Sequence, residues 1–407
     1  MPIPGGYTGK ILIIDLSHRT TSNSEWDAQS RDFYAGGKAM AAQLLSNQLG
    51  GCRVAFCEEN PVIITTSPLT GTGAPASSRF DIATLSPKDN RPTISNCGGD
   101  FGVWLKKAGY DALILNGQSD TPCWIEISED HICFHEDTDL WGAETVACRA
   151  ALANHLGHPS FGSLCIGPAG ENLVPFASVM SNGHAAGRAG IGAVLGWKKV
   201  KAVTVTGSNP IPVFDPEMLN QQNREWYAYL KSCSNISQGS PICAGCPLRC
   251  QKHAASPEDQ RLDELGLDAI AAKEAVLGAK KEGLSAESLY EQIAYQTGIG
   301  AQLEVPVSSI GKKSGDRRGN NYRTIARTFS LPENDSRTID FCKALTEAIS
   351  LIGQCIFLAN SLSGDDPLCY LQNTYFAVTG KRITLDDLLQ LGQRSLELQR
   401  QLYETFQ

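Results

Sequence analysis

At 407 residues the chain exceeds what one hydrophobic core usually serves, so two or more domains are expected. Hydrophobic residues make up 42% and charged residues 19%, the balance of an ordinary globular protein. The net charge of −8 argues against a nucleic-acid backbone or an anionic membrane as the main partner, so any anion site must be local.

In chain order, "MPIPGGYTGKILIIDLSHRT" lacks the basic start and long apolar run of a signal peptide, and no stretch reaches about 18 apolar residues. A cytoplasmic protein without a membrane span is expected. From residue 1 to 207, short β-rich runs alternate with turn signals: "KILIIDL", "PVIITTSPL", "FDIATLS", "DALILNG", "CWIEIS", "HICFHE" and "VKAVTVTG". Between them "FYAGGKAMAAQLLSNQL" and "AETVACRAALANHLG" carry apolar residues at helical spacing, so this part is α/β. "GSNPIPVFDP", rich in proline, glycine and asparagine, marks a boundary near 207/208. After it "PEMLNQQNREWYAYLKSC", "LDAIAAKEAVLGAKKEG", "AESLYEQIAYQTG", "IDFCKALTEAISLIGQCIFLANSL" and "LDDLLQLGQRSLELQRQLYETF" read as helices. Residues 305–337 carry no clear period and read as a loop, and no internal repeat at a fixed period is visible. The expected architecture is an α/β domain over 1–207 and a mainly α-helical domain over 208–407.

Fourteen cysteines in a reducing compartment read as metal ligands or as buried apolar groups. Cys52, Cys57, Cys123, Cys133, Cys148 and Cys165 are scattered singly and read as packing. "CAGCPLRC" differs: Cys243, Cys246 and Cys250 have the spacing C-x₂-C-x₃-C. Such a loop wraps three corners of an iron–sulfur cluster, with the fourth thiolate from elsewhere; Cys342, Cys355 and Cys369 are candidates. His253 could instead complete a Cys₃His zinc site, so the spacing alone leaves both readings open.

Three further stretches suit a large anionic ligand. "NGHAAGRAGIGAVLGWKKVKAV" is glycine-rich with one arginine, but no hydrophobic strand is expected before its glycines, the wrong context for a dinucleotide fingerprint, and a tight packing turn is the bland alternative. In "SPLTGTGAPASSRF" and "ISNCGGDFGVWLKKAGYDA", Arg79 ends a flexible run, and Asn96, Gly98 and Gly99 lie on a turn able to present carbonyls and amides.

In order, "GGYTGKILIIDLSHRTT", "PLTGTGAPASSRFDIATLSP", "ISNCGGDFGVWLKKAGYDALILNG", "IGPAGENLVPFASVM" and "GRAGIGAVLGWKKVKAV" resemble the tungsten-pterin aldehyde:ferredoxin oxidoreductases. Coverage is nearly continuous over residues 5–207. Beyond it "CAGCPLRC" resembles the family's cluster loop, "LDELGLDAI" its first pterin motif, "SLIGQCIF" its second and "LGQRSLELQRQLY" a late helix. The resemblance implies a tungsten or molybdenum bis-pterin, with Mg²⁺ bridging the pterin phosphates through carbonyls at Asn96 and the Ala185–Ala186 turn. It further implies Arg79 between pterin and cluster, a [4Fe-4S] cluster on Cys243, Cys246, Cys250 and Cys355, and pterin-ring carboxylates at Asp263 and Asp268. Gly98, Gly187, Arg188, Gly353 and Gln354 fall in the same motifs as cofactor-binding positions.

The departures are specific. Only residues 251–262 separate Cys250 from Asp263, where the family has a longer helical block bearing an active-site glutamate, and no histidine follows His253. Ser350 stands where the second pterin motif begins with Asp, and Gln354 where Leu is usual. The implied function is oxidation of an aldehyde or related substrate with electrons passed to a ferredoxin or another iron–sulfur carrier, with no catalytic acid or base assigned. The alternatives are a non-catalytic paralogue serving electron relay, cofactor handling or structure, and a zinc-stapled binding protein. A homodimer is a family expectation whose surface lies partly in the absent block, which leaves a monomer or a partner subunit open.

Overall fold

The computed structural model describes residues 3–129, 131–136, 138–187, 190–232, 262–267, 323, 325–332, 335–356 and 366–406. All strands among the described residues fall between Lys10 and Val205, and the elements after them are helices, as the sequence pattern predicts.

The first part runs β1 (Lys10–Asp15), β2 (Thr20–Glu25), α1 (Ala28–Tyr34), α2 (Gly37–Gln48), β3 (Val62–Thr65), β4 (Phe80–Leu85), β5 (Pro92–Cys97), α3 (Phe101–Lys107) and β6 (Ala112–Asn116). The next comprises β7 (Cys123–Ile127), β8 (Ile132–His135), α4 (Thr145–Leu156), β9 (Gly162–Cys165), α5 (Pro168–Glu171), β10 (Val179–Ser181), β11 (His184–Ala186), α6 (Ile191–Trp197) and β12 (Val200–Val205). The strands make two six-stranded sheets, ordered β2-β1-β6-β3-β4-β5 and β11-β10-β9-β12-β7-β8. Adding six to each strand number of the first sheet gives the second read backwards. The senses agree as well: β1/β6 and β7/β12 are the parallel pairs, and every other pairing is antiparallel. The fold therefore contains a repeat that the sequence reading did not find. It surfaces only in "FGVWLKKAGYDALILNG" (101–117) and, ninety residues on, "IGAVLGWKKVKAVTVTG" (191–207), which share Gly102/Gly192, Leu105/Leu195, Ala112/Ala202 and Gly117/Gly207.

Period-2 alternation assigns the faces. Inward residues Leu113 and Leu115 of β6, Val203 and Val205 of β12, and Ile125 and Ile127 of β7 form one core with Phe101 and Leu105 of α3 and Ile191, Val194 and Leu195 of α6. The outer face of the first sheet (Ile11, Ile63, Ala83, Ala112, Ile114) is covered by Met40, Ala42 and Leu45 of α2. That of the second (Trp124, Cys165, Met180, Ala202) is covered by Cys148 and Leu152 of α4. The layers run α2, sheet, α3 with α6, sheet, α4. Edge strand β2, "TTSNSE", is polar and almost wholly exposed, as suits an edge in water.

Each half buries one ion pair at the equivalent place. Asp111, just before β6, accepts from Lys106 Nζ at 2.6 Å and from the Thr8 and Gly9 amides at 3.0 and 2.7 Å, with Lys106 and Asp111 side chains 1% and 3% exposed. Ninety residues on stands Lys201, on β12; its Nζ donates to Glu171 of α5 and, at 2.6 Å, to the Ala143 carbonyl.

The remaining described helices are α7 (Pro216–Ser232), α8 (Ser336–Leu351), α9 (Asp366–Thr379) and α10 (Leu385–Glu404). α10 opens with a capping box: Thr384 Oγ1 accepts from the Asp387 amide at 3.1 Å and Asp387 Oδ2 from the Thr384 amide at 2.8 Å. Their apolar faces, with Trp226, Leu345, Ile349, Tyr375, Val378 and Leu388, form a separate core that also takes in Leu69, Ala74 and Ala76 from the loop before β4. Helix α8 sets the position of the chain that follows it, and it lies so close to α10 that a Cβ on Gly392 would overlap the Ala344 carbonyl. Helix propensity favours alanine over glycine by about 1 kcal/mol. Overlap with a fixed backbone outweighs it, and Gly392→Ala should cost about 1–3 kcal/mol, read as a lower urea midpoint with unchanged slope. A midpoint equal to or above wild type would contradict this crossing.

Candidate active site

Arg79 enters β4, and its Nε donates to Asn96 Oδ1 at 2.7 Å across the β4/β5 ladder. Asn96 Nδ2 in turn donates to Asp81 Oδ1 at 2.9 Å, Asp81 being its direct cross-strand partner. Asp81 is the one charged residue of a fully buried strand. Burial pushes its carboxyl up to about 6, against the pull of Lys38, Asn96 and Arg79. Lys38, in the first turn of α2, reaches across to Glu347 of α8 at 2.9 Å. Burial raises the Glu347 carboxyl, but Lys38, Ser395 and Gln399 outweigh it and the net direction is down. Ser395 Oγ and Gln399 Nε2 donate to Glu347 Oε1 at 2.9 and 2.7 Å. One buried polar chain thus joins the sheet, α2, α8 and α10.

The segment after α8 lies along the loop that leads to Arg79. Leu69 N donates to Ile352 O at 2.9 Å, Gln354 Nε2 to Pro75 O at 3.3 Å, and Cys355 N to Ala76 O at 2.9 Å. Cys355 is buried there, and only Ser77 and Ser78 separate Ala76 from Arg79. Gly353 makes the approach possible: its φ is +105°, and a Cβ would stand 2.9 Å from Ser67 Cβ and 3.1 Å from the Thr70 amide. Gln354 Oε1 is buried with no hydrogen-bond partner among the described residues.

The other end of Asn96's strand meets the second sheet. Ser95 Oγ donates to the Gly187 carbonyl at 2.9 Å, so β5 and β11, equivalent strands of the two halves, abut at Asn96 and at Ala185–Gly187. Past Gly98 the chain turns at Gly99 (φ +96°) against Ser181. Asp100 then accepts from Asn182 Nδ2 at 3.1 Å and faces Arg149 at 3.6 Å. Burial raises the Asp100 carboxyl, with Arg149 opposing. Asp100 Oδ1 and Ser181 Oγ are buried without partners among the described residues. Arg149, Asn182, Gly183, Met180 and Cys165 line a cleft of ≈ 570 Å³, closed on one side by Asp263 and Glu264. Asp263 is fixed through its backbone: its carbonyl accepts from Thr145 Oγ1 at 3.0 Å, and Ser178 N donates to Gly266 O at 2.7 Å.

A family profile described as aldehyde ferredoxin oxidoreductase, N-terminal domain, matches residues 11–207. The N-terminal α/β region belongs to that family. Tungsten-containing aldehyde ferredoxin oxidoreductases of Thermococcus kodakarensis and Pyrococcus furiosus are 40% and 37% identical to this chain over 237 residues, 58% of this chain and 39% of each relative. An aliphatic sulfonate oxidoreductase, WOR-like subunit, of Pyrococcus furiosus is 31% identical over 249 residues, 57% of this chain and 40% of that one. The matches span about two fifths of the length of these curated relatives. Among solved structures, the active-site complex BamBC of benzoyl coenzyme A reductase, in complex with 1,5 dienoyl-CoA, aligns with a TM-score of 0.79 over 99% of this chain and 90% of that one. At 19% identity this likeness speaks for the fold alone.

Of the positions singled out by the family resemblance, the structure brings together Arg79, Asn96, Ala185, Ala186, Gly187 and, through the 69–76 loop, Gly353, Gln354 and Cys355. Asp263 lines the cleft, and Gly98 precedes the turn at Gly99. Arg188, Cys243, Cys246, Cys250, His253 and Asp268 lie outside the described residues. Among the alternatives for a fourth thiolate, Cys342 is buried within α8 and Cys369 is exposed on α9. The glycines after Arg188 serve packing: a Cβ on Gly190, Gly192 or Gly196 would meet the backbone of Pro175, Ser178 or Gly170. Of the cysteines read as singles, Cys123, Cys148 and Cys165 are buried, whereas Cys52 and Cys57 are half-buried with their Sγ atoms 2.6 Å apart. Sequence reasoning missed Lys38, Asp81, Asp100, Arg149 and Glu347. Only Asp81 left a signal, as one carboxylate inside the apolar run "FDIATLS".

The raised Asp81 carboxyl sets a sign for pH dependence. Between 3.8 and about 6 the folded chain holds a proton that the unfolded chain releases, so stability falls as pH rises. The difference amounts to about 3 kcal/mol. Asp81→Asn should remove it: urea midpoints of the two proteins should lie closest near pH 4 (about the unfolded value) and separate toward neutrality, with the variant the more stable. A wild type that gains on the variant over this window would reverse the assignment.

Proposed function

We propose that the chain is an oxidoreductase of the aldehyde ferredoxin oxidoreductase family. In this reading it holds a tungsten or molybdenum bis-pterin between β5 and β11, and a [4Fe-4S] cluster on Cys243, Cys246, Cys250 and Cys355. The observation that carries this reading is the convergence of Arg79, Asn96 and the buried Cys355 on one loop, although Cys355 lies 276 positions beyond Arg79 in the sequence.

The residues present fit such groups. Carbonyls at Asn96 and Ala185–Ala186 sit where the two sheets meet, suiting a hard cation such as Mg²⁺ between two phosphates. Asp100 Oδ1, Ser181 Oγ and Gln354 Oε1 are buried polar atoms that lack partners among the described residues, and Asp263 brings a carboxylate of the kind that accepts ring N–H donors. Gly98, Gly187, Arg188, Gly353 and Asp268 complete the cofactor-binding set. When bound, the metallopterin supplies two-electron oxidation of an aldehyde-type carbon, and the cluster carries the electrons on to a ferredoxin-type acceptor. Arg79 supplies a fixed positive charge beside both, its Nε held by Asn96 and its carbonyl by Thr70 Oγ1 at 3.0 Å. No described residue is assigned as the proton acceptor.

A second reading, a non-catalytic paralogue keeping the site for electron relay or cofactor handling, is favoured by the shortness of 251–262. Removing a positioned acid or base typically costs about 10²–10⁴ in rate. Protein purified anaerobically from a host that makes the cofactor should carry tungsten or molybdenum, pterin, iron and sulfide. Iron and sulfide alone would select the paralogue, and zinc without either would overturn both. Cys355→Ser should abolish or degrade the paramagnetic signal of the reduced cluster while Cys369→Ser leaves it intact. The opposite pattern would move the fourth ligand to Cys369.

A further inference from the structure

Far from the β5/β11 junction, the outer face of the second sheet gathers three ligand-type side chains that none of the motifs above includes. Glu126 lies on β7 and His135 on edge strand β8, while His155 comes from the last turn of α4, the helix that covers this face. In the β7/β8 register His135 stands opposite Trp124, and Glu126, two residues along from Trp124, shares that face. The His135 ring stacks on the Trp124 indole at 3.9 Å with 10° between planes, and the His155 ring meets both edge-on at 4.9 Å. His135 Nε2 lies 2.9 Å from Glu126 Oε2.

We infer that Glu126, His135 and His155 form a binding site for one divalent transition-metal ion of the zinc class. One ligand atom from each residue lies within 4.8 Å of the others. Ligands on a tetrahedral zinc stand about 3.4 Å apart, so small rotations of half-exposed side chains close the set. Two imidazole nitrogens and one carboxylate oxygen are borderline donors suited to Zn²⁺ rather than to Ca²⁺ or Mg²⁺, and the fourth position is left for water or an exogenous ligand. Trp124 supplies what a ligand shell needs beyond its donors: it is fully buried, and its ring holds the His135 plane. The ion would clip the C-terminal end of α4 to the edge of the sheet. The bland arrangement is a His135–Glu126 hydrogen bond with His155 as a surface bystander, and it predicts no role for His155 in metal binding. The site is independent of the proposed pterin and cluster.

The test is equilibrium dialysis of the full chain against Zn²⁺, followed by metal counting and zinc-edge X-ray absorption, in wild type, His155→Ala, His135→Ala and Glu126→Gln. The wild type should hold one zinc with only nitrogen and oxygen neighbours. His155→Ala, a change at an exposed residue, should weaken this zinc by more than the roughly 10–100-fold that loss of a supporting partner costs. His135→Ala should do the same, and Zn²⁺ should raise the melting temperature of wild type but not of these variants. The inference is overturned if wild type takes up no zinc, if His155→Ala keeps the wild-type affinity, or if the zinc shows only a sulfur shell, which would place it on cysteines.

Discussion

A six-stranded sheet with two apolar faces must cover both, and each square ångström left in water costs about 25 cal/mol. Here two such sheets meet that demand jointly. Helices α3 and α6 lie in the shared layer while α2 and α4 cover the outer faces. Because the halves repeat one strand order, their terminal strands β5 and β11 are brought to the same place, and Ser95 fastens them through the Gly187 carbonyl. The junction that would receive a large two-part ligand is thus a product of the core's geometry.

The helical part then closes on that junction by polar contacts as well as through its apolar core. Lys38 and Glu347 join α2 to α8, and Ser395 and Gln399 fix Glu347 from α10. A buried ion pair of this kind contributes little net stability against an apolar replacement, but losing one member costs about 3–5 kcal/mol. Its effect is on placement: it sets the end of α8, and with it Gly353, Gln354 and Cys355, against the loop that carries Arg79. Asp81, held beside this chain with a raised carboxyl, keeps the same region responsive to pH.

The alternation of strand runs and helical stretches was legible because period-2 and period-3.6 patterns are local, and the α/β character of the first part and the helical character of the second followed from them. Ordered motifs also pointed to Arg79, Asn96 and Cys355, which the structure gathers. The repeat was not legible: only scattered glycines, a leucine and an alanine coincide between 101–117 and 191–207, since a buried strand tolerates many apolar residues. Lys38 and Glu347 carried no signal, because a charge on an amphipathic helix reads as solvated until the partner helix is placed. His135 and His155 escaped notice for a similar reason, their spacing matching no motif while cross-strand register and a covering helix bring them together.

The two halves repeat so closely that each could in principle accept the other's β-strand, and a chain still folding must tell them apart. Asp111 of the first half and Lys201 of the second occupy the same place in the repeat but carry opposite charge, each answered only by its own partner, Lys106 or Glu171. Exchanging β6 and β12 with their flanking residues would set Lys201 beside Lys106 and Asp111 beside Glu171, two like-charge encounters in a dry interior. The buried pairs therefore act as a lock on identity: they make one pairing of nearly interchangeable parts the one in which no charge is left unanswered.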